Sequence, residues 1–190
     1  VQPEFERGFV AGFKDVKLIE SSSNSLTGSK NNGTMNIEAR PMANGLRSQP
    51  RDLTHDEIES IRESIRKIEA DESVFVFNRG DRTSYDDDAD CIFVKGDIFP
   101  DLSSSRAADR MSVEAALAHE YYGHRPNRGT SLPMGDWRDE LRASMTASVH
   151  GKGLTDEDRQ LLMRDALDRA ALGGVTLNIT PTMRRILYGY

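Results

Sequence analysis

Two histidines and a glutamate stand together at the end of a small-residue helix, in the run Ala118-His-Glu-Tyr-Tyr-Gly-His-Arg125. Neutral imidazoles bind zinc, and a carboxylate beside the first histidine faces an open coordination position, where it can take a proton from water. The usual spacing, His-Glu-x-x-His, sets the imidazoles roughly 40° apart on one helix face. Here one residue is inserted. His119 and His124 are five apart, roughly 140° around an ideal α-helix, which taken alone counts against a shared ion. Gly123 immediately precedes the second histidine, where a bulge or local opening of the helix meets least resistance. The spacing therefore predicts a helix that deviates near Tyr122–Gly123, as a π-type bulge or by ending early.

His119-Glu-Tyr-Tyr-Gly-His124 resembles the His-Glu-x-x-Gly-His zinc motif of the dipeptidyl peptidase III metallopeptidases. In that family the third ligand is the second acid of a Glu-Glu-Cys-Arg-Ala-Glu helix. Asp139-Glu-Leu-Arg-Ala-Ser144 is similar to that helix and aligns Glu140 with the ligand. The resemblance implies zinc held by His119, His124 and Glu140, with Glu120 as the catalytic base of a gluzincin-like metallopeptidase. It covers about 12 residues of 190, so it implies a shared site and not a shared overall fold. The chain departs from the family in two places. Only 15 residues separate His124 from Glu140, a spacing closer to compact zincins. Ser144 stands where the family has its last acid, a carboxylate of the kind that orients a ligating histidine. The longer stretch Val74–Ala147 also resembles zincin-type domains at the C-terminal ends of bacterial polymorphic toxins. That likeness implies a protein or peptide substrate, delivery as part of a larger secreted protein, and a cognate immunity protein that covers the cleft.

Several elements must position these residues. Thr54 and Glu57 form a capping box ahead of Ile58, Ile61, Ile65 and Ile68, an isoleucine stripe at helical spacing. Ser73–Asn78 and Cys91–Lys95, rich in β-branched and aromatic residues, read as strands, and the longer polar connection Arg79–Asp90 suggests an antiparallel pair. Asp86, Asp87, Asp88 and Asp90 lack the alternate spacing and turn glycine of a calcium loop, so the run reads as solvated. Cys91 reads as a small buried hydrophobe. Ser112 caps the helix leading into His119, Asp136 caps one from Trp137, and Thr155 starts another that Gly173-Gly174 stops. A short strand and a helix from Pro181 close the chain. The fold expected is α+β, a small and mostly antiparallel sheet packed on the metal-binding helix with further helices behind. The zincin resemblance adds that an edge strand, Cys91–Lys95 or Val74–Phe77, pairs with substrate.

Residues 1–50 are expected to be a flexible segment or linker, because Ser21–Pro50 has few large apolar residues to offset its ordering entropy, and 51–190 to be the catalytic domain. Opening at Val1 and lacking a signal pattern, the chain reads as a piece of something longer. One cysteine excludes a disulfide framework and a cysteine-rich zinc site. No apolar run approaches the roughly 20 residues of a membrane helix. A net charge of −6 argues against nucleic acid as partner. His55 and His150 read as structural. Tyr121 or Tyr122 packs under the metal helix, and His150, Tyr188, Arg125 and Arg128 are weak candidates for oxyanion stabilisation. Two alternatives stand beside the peptidase. One is a metal-free nuclease toxin using His119, Glu120 and His124 as acid and base, with Arg125 and Arg128 on phosphate. The other is a non-enzymatic binding domain with a degenerate site.

Overall fold

The structure, a computed structural model, describes residues 50–190 except Ser131 and Met134, together with the backbone of Leu18–Ile19. The expected flexible segment 1–50 thus lies almost wholly outside the described residues. Leu18–Ile19 form β1, paired antiparallel with β5 (Thr176–Leu177).

The chain is α+β. Helix α1 (His55–Lys67) starts at Thr54, whose hydroxyl accepts the Glu57 N–H, while the Glu57 carboxylate accepts the Thr54 N–H at 2.8 Å. Ile61, Ile65 and Ile68 are fully buried, about 1.5–3 kcal/mol of apolar burial for each side chain. They pack on the strands β2 (Phe75–Phe77) and β4 (Cys91–Val94) and on helix α3 (Val113–Ala118). A short α2 (Ala107–Arg110) precedes α3, which Ser112 caps by accepting the Ala115 N–H at 3.0 Å.

The sheet corrects two expectations. Its order is β2-β4-β3, where β3 is Ser84–Asp86, and it is mixed: β2 runs parallel to β4 and β3 runs antiparallel to it. The strand inside the polar stretch 79–90 is the reason. It turns back onto β4 through the acidic turn, and this extra reversal makes β2 and β4 parallel. Tyr85, its one buried residue, is 2% exposed and gives the strand its inward face. The second correction follows from the first. Cys91–Val94 is the central strand, so it presents no free edge; the edges are β2 and β3.

Three further helices complete the fold: α4 (Trp137–His150), α5 (Asp156–Leu172) and α6 (Pro181–Tyr188). Leu141, Met145, Met163, Ala166 and Met183 form a second apolar cluster among them. Two side chains lock α5 to its neighbours. Arg159 donates to the carbonyls of Ser148 and Gly151, both at 2.7 Å, closing the end of α4. Asp158 accepts the Ser112 hydroxyl at 2.6 Å, tying α5 to the cap of α3. The histidine pair sits between the two apolar clusters. Among the described residues, no helix is long and apolar enough to cross a membrane.

Candidate metal centre

The helix that carries the histidines changes its winding at the expected place. From His119 to His124 it is a π-helix, continuing α3 without a break. In a π-helix the hydrogen bonds run between residues five apart, which brings His119 and His124 onto one side. Gly123 is required by contact: a Cβ there would lie 2.6 Å from the Ala143 carbonyl oxygen and 2.9 Å from Ala143 Cα. The π-segment and α4 therefore touch backbone to backbone, and α4 carries Glu140.

Three side-chain tips converge as a result. His119 Nε2 and His124 Nε2 are 3.0 Å apart. Glu140 Oε2 lies 3.2 Å from His119 Nε2, and its Oε1 lies 3.8 Å from His124 Nε2. Ligands about 2.0–2.1 Å from a tetrahedral zinc stand roughly 3.3 Å from one another, so these separations suit that ion. All three residues are buried, each at 6% exposure or less.

The polar atoms beyond each ring favour the tautomer in which Nε2 is free. Ser144 Oγ lies 3.0 Å from His119 Nδ1 and spends its own proton on Asp165 Oδ2, so it must accept from Nδ1–H. His124 Nδ1 lies 3.1 Å from Asp139 Oδ2, and a carboxylate only accepts. Both Nε2 lone pairs then face each other and Glu140 across a shared point, which only a cation satisfies. The surroundings agree. Glu120, Asp139, Glu140 and Asp165 are buried around the rings, against the two buried guanidiniums of Arg142 and Arg169. With neutral imidazoles the group carries two excess negative charges, which a dication balances. The residues fit a divalent metal, and the N₂O donor set with imidazole nitrogens suits zinc.

Glu120 belongs to the same cluster, its ligand atom within 4.8 Å of those of both histidines. It differs from Glu140 in its attachment. Its Oε2 accepts the backbone N–H of Tyr85 at 2.9 Å, on the edge of β3 opposite β4. Glu140 stands at ligand spacing, and Glu120 is held beside the centre by the edge strand.

Other sequence candidates lie elsewhere. His55 and His150 are exposed at the ends of α1 and α4, and His150 is ten residues beyond Glu140, about 15 Å along the helix. It therefore takes no part in the site. Tyr188 is 57% exposed on α6. Tyr122 packs and donates to the Ile68 carbonyl at 2.7 Å, while Tyr121 stacks on Phe75 and carries the Arg125 guanidinium on its face. The acidic turn is no loose loop. Asp90 pairs with Arg125 at 2.9 Å and Arg128 at 3.4 Å, and Asp87 accepts the Gly129 N–H at 3.1 Å. These contacts clip the segment after His124 to the end of β3. Cys91 is half-buried, and burial pushes its thiol up, so it is no activated nucleophile. Asp165 and Arg169 escaped the sequence reading, since nothing local to them marks a site; Asp139 and Arg142 lie inside the Asp139–Ser144 motif, which gives them no role. The one usable signal was the adjacency of Asp139 to Glu140.

Without metal, the shared point takes a proton. Burial opposes charge on His124, but its hydrogen bond to Asp139 and the charges of Glu140 and Glu120 outweigh burial and raise it to about 9. Burial likewise opposes the charged form of Glu140, yet His119, His124 and Arg169 hold its carboxyl down at about 2. A raised histidine contributes stability that is complete below its ordinary value of about 6.5 and is lost as pH rises through about 9. Chelator-treated protein should therefore lose thermal stability between these pH values. Zinc-loaded protein should hold its stability there, because the ion replaces the proton and binds more tightly as that proton leaves. Thermal unfolding of both forms across this range checks the expectation, and parallel profiles would contradict it.

Comparison with protein-family models, with curated proteins and with solved structures finds no match for this chain.

Proposed function

We propose that residues 51–190 form a zincin-like zinc peptidase domain. The observation that carries this reading is the convergence of His119 Nε2, His124 Nε2 and Glu140 within 3.8 Å, with each Nδ1 facing an acceptor. Zinc, when bound, supplies the Lewis acidity that lowers the pKa of water and polarises a scissile carbonyl. Glu120 is the general base. It removes the proton from the attacking water and returns it to the leaving amine. The Tyr85 amide fixes the Glu120 carboxylate for that exchange. Substrate binds as an extended peptide along a free sheet edge. Cys91–Lys95, as the central strand, gives up the role implied by resemblance. Val74–Phe77 keeps an edge, and Ser84–Asp86 is the edge that holds Glu120.

The metal-free nuclease is the weaker reading. It needs Arg125 and Arg128 on phosphate, and both are engaged by Asp90. A toxin setting, with a larger secreted parent and an immunity protein as partner, rests on the resemblance of Val74–Ala147. The test is incubation of zinc-loaded protein with a proteome-derived peptide library. Cleavage that stops with chelator and returns with zinc is expected; chelator-resistant cleavage, or none, would overturn the assignment.

A further inference from the structure

The contacts behind the candidate metal centre close into a ring. His119 Nδ1 meets Ser144 Oγ at 3.0 Å, and Ser144 donates to Asp165 Oδ2. Arg169 Nε donates to the same Asp165 oxygen at 2.7 Å, and its Nη1 lies 3.2 Å from Glu140 Oε2. Glu140 Oε2 returns to His119 Nε2 at 3.2 Å. Every member is 4% exposed or less. Two of the five come from α5, a helix that supplies no ligand.

We infer that Asp165, acting through Ser144, is the positioning carboxylate of His119, and that Arg169 extends the same anchorage to Glu140. This rests on the zinc reading and deepens it. The chemistry follows from the proton count. A serine hydroxyl has one proton; because Asp165 accepts it, the oxygen is left to accept from Nδ1–H, which fixes the tautomer that presents Nε2. Serine alone would hold the ring weakly, since its hydroxyl can rotate away. The carboxylate beyond removes that freedom. Asp165 and Arg169 are i and i+4 on α5, so one helix face orients both a nitrogen and an oxygen ligand. The departure at Ser144 from the acid of the resembling motif is thereby made good by a carboxylate from the next helix.

A buried ion network that merely holds helices together would give the same contacts, so the test must read the metal. The 190-residue chain is compared with Ser144→Ala, Asp165→Asn and the exchange S144D/D165S. Readouts are zinc affinity by chelator competition, the visible spectrum of the cobalt(II)-loaded protein, and metal-free thermal stability. Ser144→Ala removes one hydroxyl and leaves the Asp165–Arg169 pair in place. It should weaken zinc roughly 10- to 100-fold and shift the cobalt bands, with metal-free unfolding lowered only by the loss of the buried hydroxyl's hydrogen bonds. Asp165→Asn should weaken zinc to a similar degree. The exchange puts a carboxylate directly on Nδ1 and should recover affinity to within about tenfold of wild type. Zinc affinity and cobalt spectra unchanged in Ser144→Ala and Asp165→Asn would overturn the inference. If the exchange variant does not fold, Ser144→Ala decides alone. Failure of the wild-type chain to bind zinc is a different result, which defeats the metal reading itself.

Discussion

Replacing Glu120 by Gln should leave zinc binding in place and lower kcat/KM for peptide cleavage about a thousandfold, near 4 kcal/mol of transition-state stabilisation. The amide keeps an oxygen for the Tyr85 N–H, which Glu120 Oε2 now accepts at 2.9 Å, so the side chain can stay where it is. What it loses is the capacity to take a proton. The three ligands proposed for the metal do not include it. Glu140 holds the third place, 3.2 Å from His119 Nε2. Zinc content and turnover measured on one preparation separate the two carboxylates. If Glu120→Gln loses zinc as completely as His119→Ala, the roles are wrong and Glu120 is a ligand.

The second large effect belongs to a residue with no chemistry of its own. Gly123→Val should weaken zinc roughly 100-fold and destabilise the protein by about 1–3 kcal/mol through overpacking. A Cβ would stand 2.6 Å from the Ala143 carbonyl oxygen, a backbone atom that cannot swing aside. The π-segment and α4 must then separate, drawing His124 away from Glu140. Helix α1 and its isoleucines pack on the sheet and α3, outside this contact, so far-UV circular dichroism should remain near wild type. Wild-type zinc affinity in Gly123→Val would mean that the close approach does not set the ligand spacing.

The centre and its supports were not equally legible in the sequence. His119, Glu120 and His124 lie within six consecutive positions, so residue types and proximity single them out, whereas Glu140 is reached only through the resemblance of Asp139–Ser144 to a known zinc-binding helix. A deviation near Gly123 was also legible, because a five-residue spacing and a shared face are incompatible in an α-helix, though the sequence left a π-type bulge and an early end both open. The helix starts at Thr54, Ser112, Asp136 and Thr155 were readable for a local reason: a capping side chain bonds to its own first turn. Asp165 and Arg169 have no such marker. They sit on a helix whose buried face mixes charged with apolar residues, and only the packing of α5 on α4 turns them toward Ser144 and Glu140. The strand Ser84–Asp86 was hidden because one buried residue, Tyr85, is too little for an alternating pattern, and its acidic neighbours look like loop. Missing it reversed the relative direction of β2 and β4 and left Cys91–Lys95 a candidate edge when it is the central strand.

Zinc per chain, measured by elemental analysis on the 190-residue chain and on His119→Ala after dialysis against metal-free buffer, tests the central claim most directly. We predict about one zinc per wild-type chain, removable by a strong chelator and restored by added zinc, and almost none in the variant. A wild-type chain that stays metal-free after purification with zinc present, yet cleaves peptides at full rate, would contradict the assignment of His119, His124 and Glu140 as a catalytic metal centre.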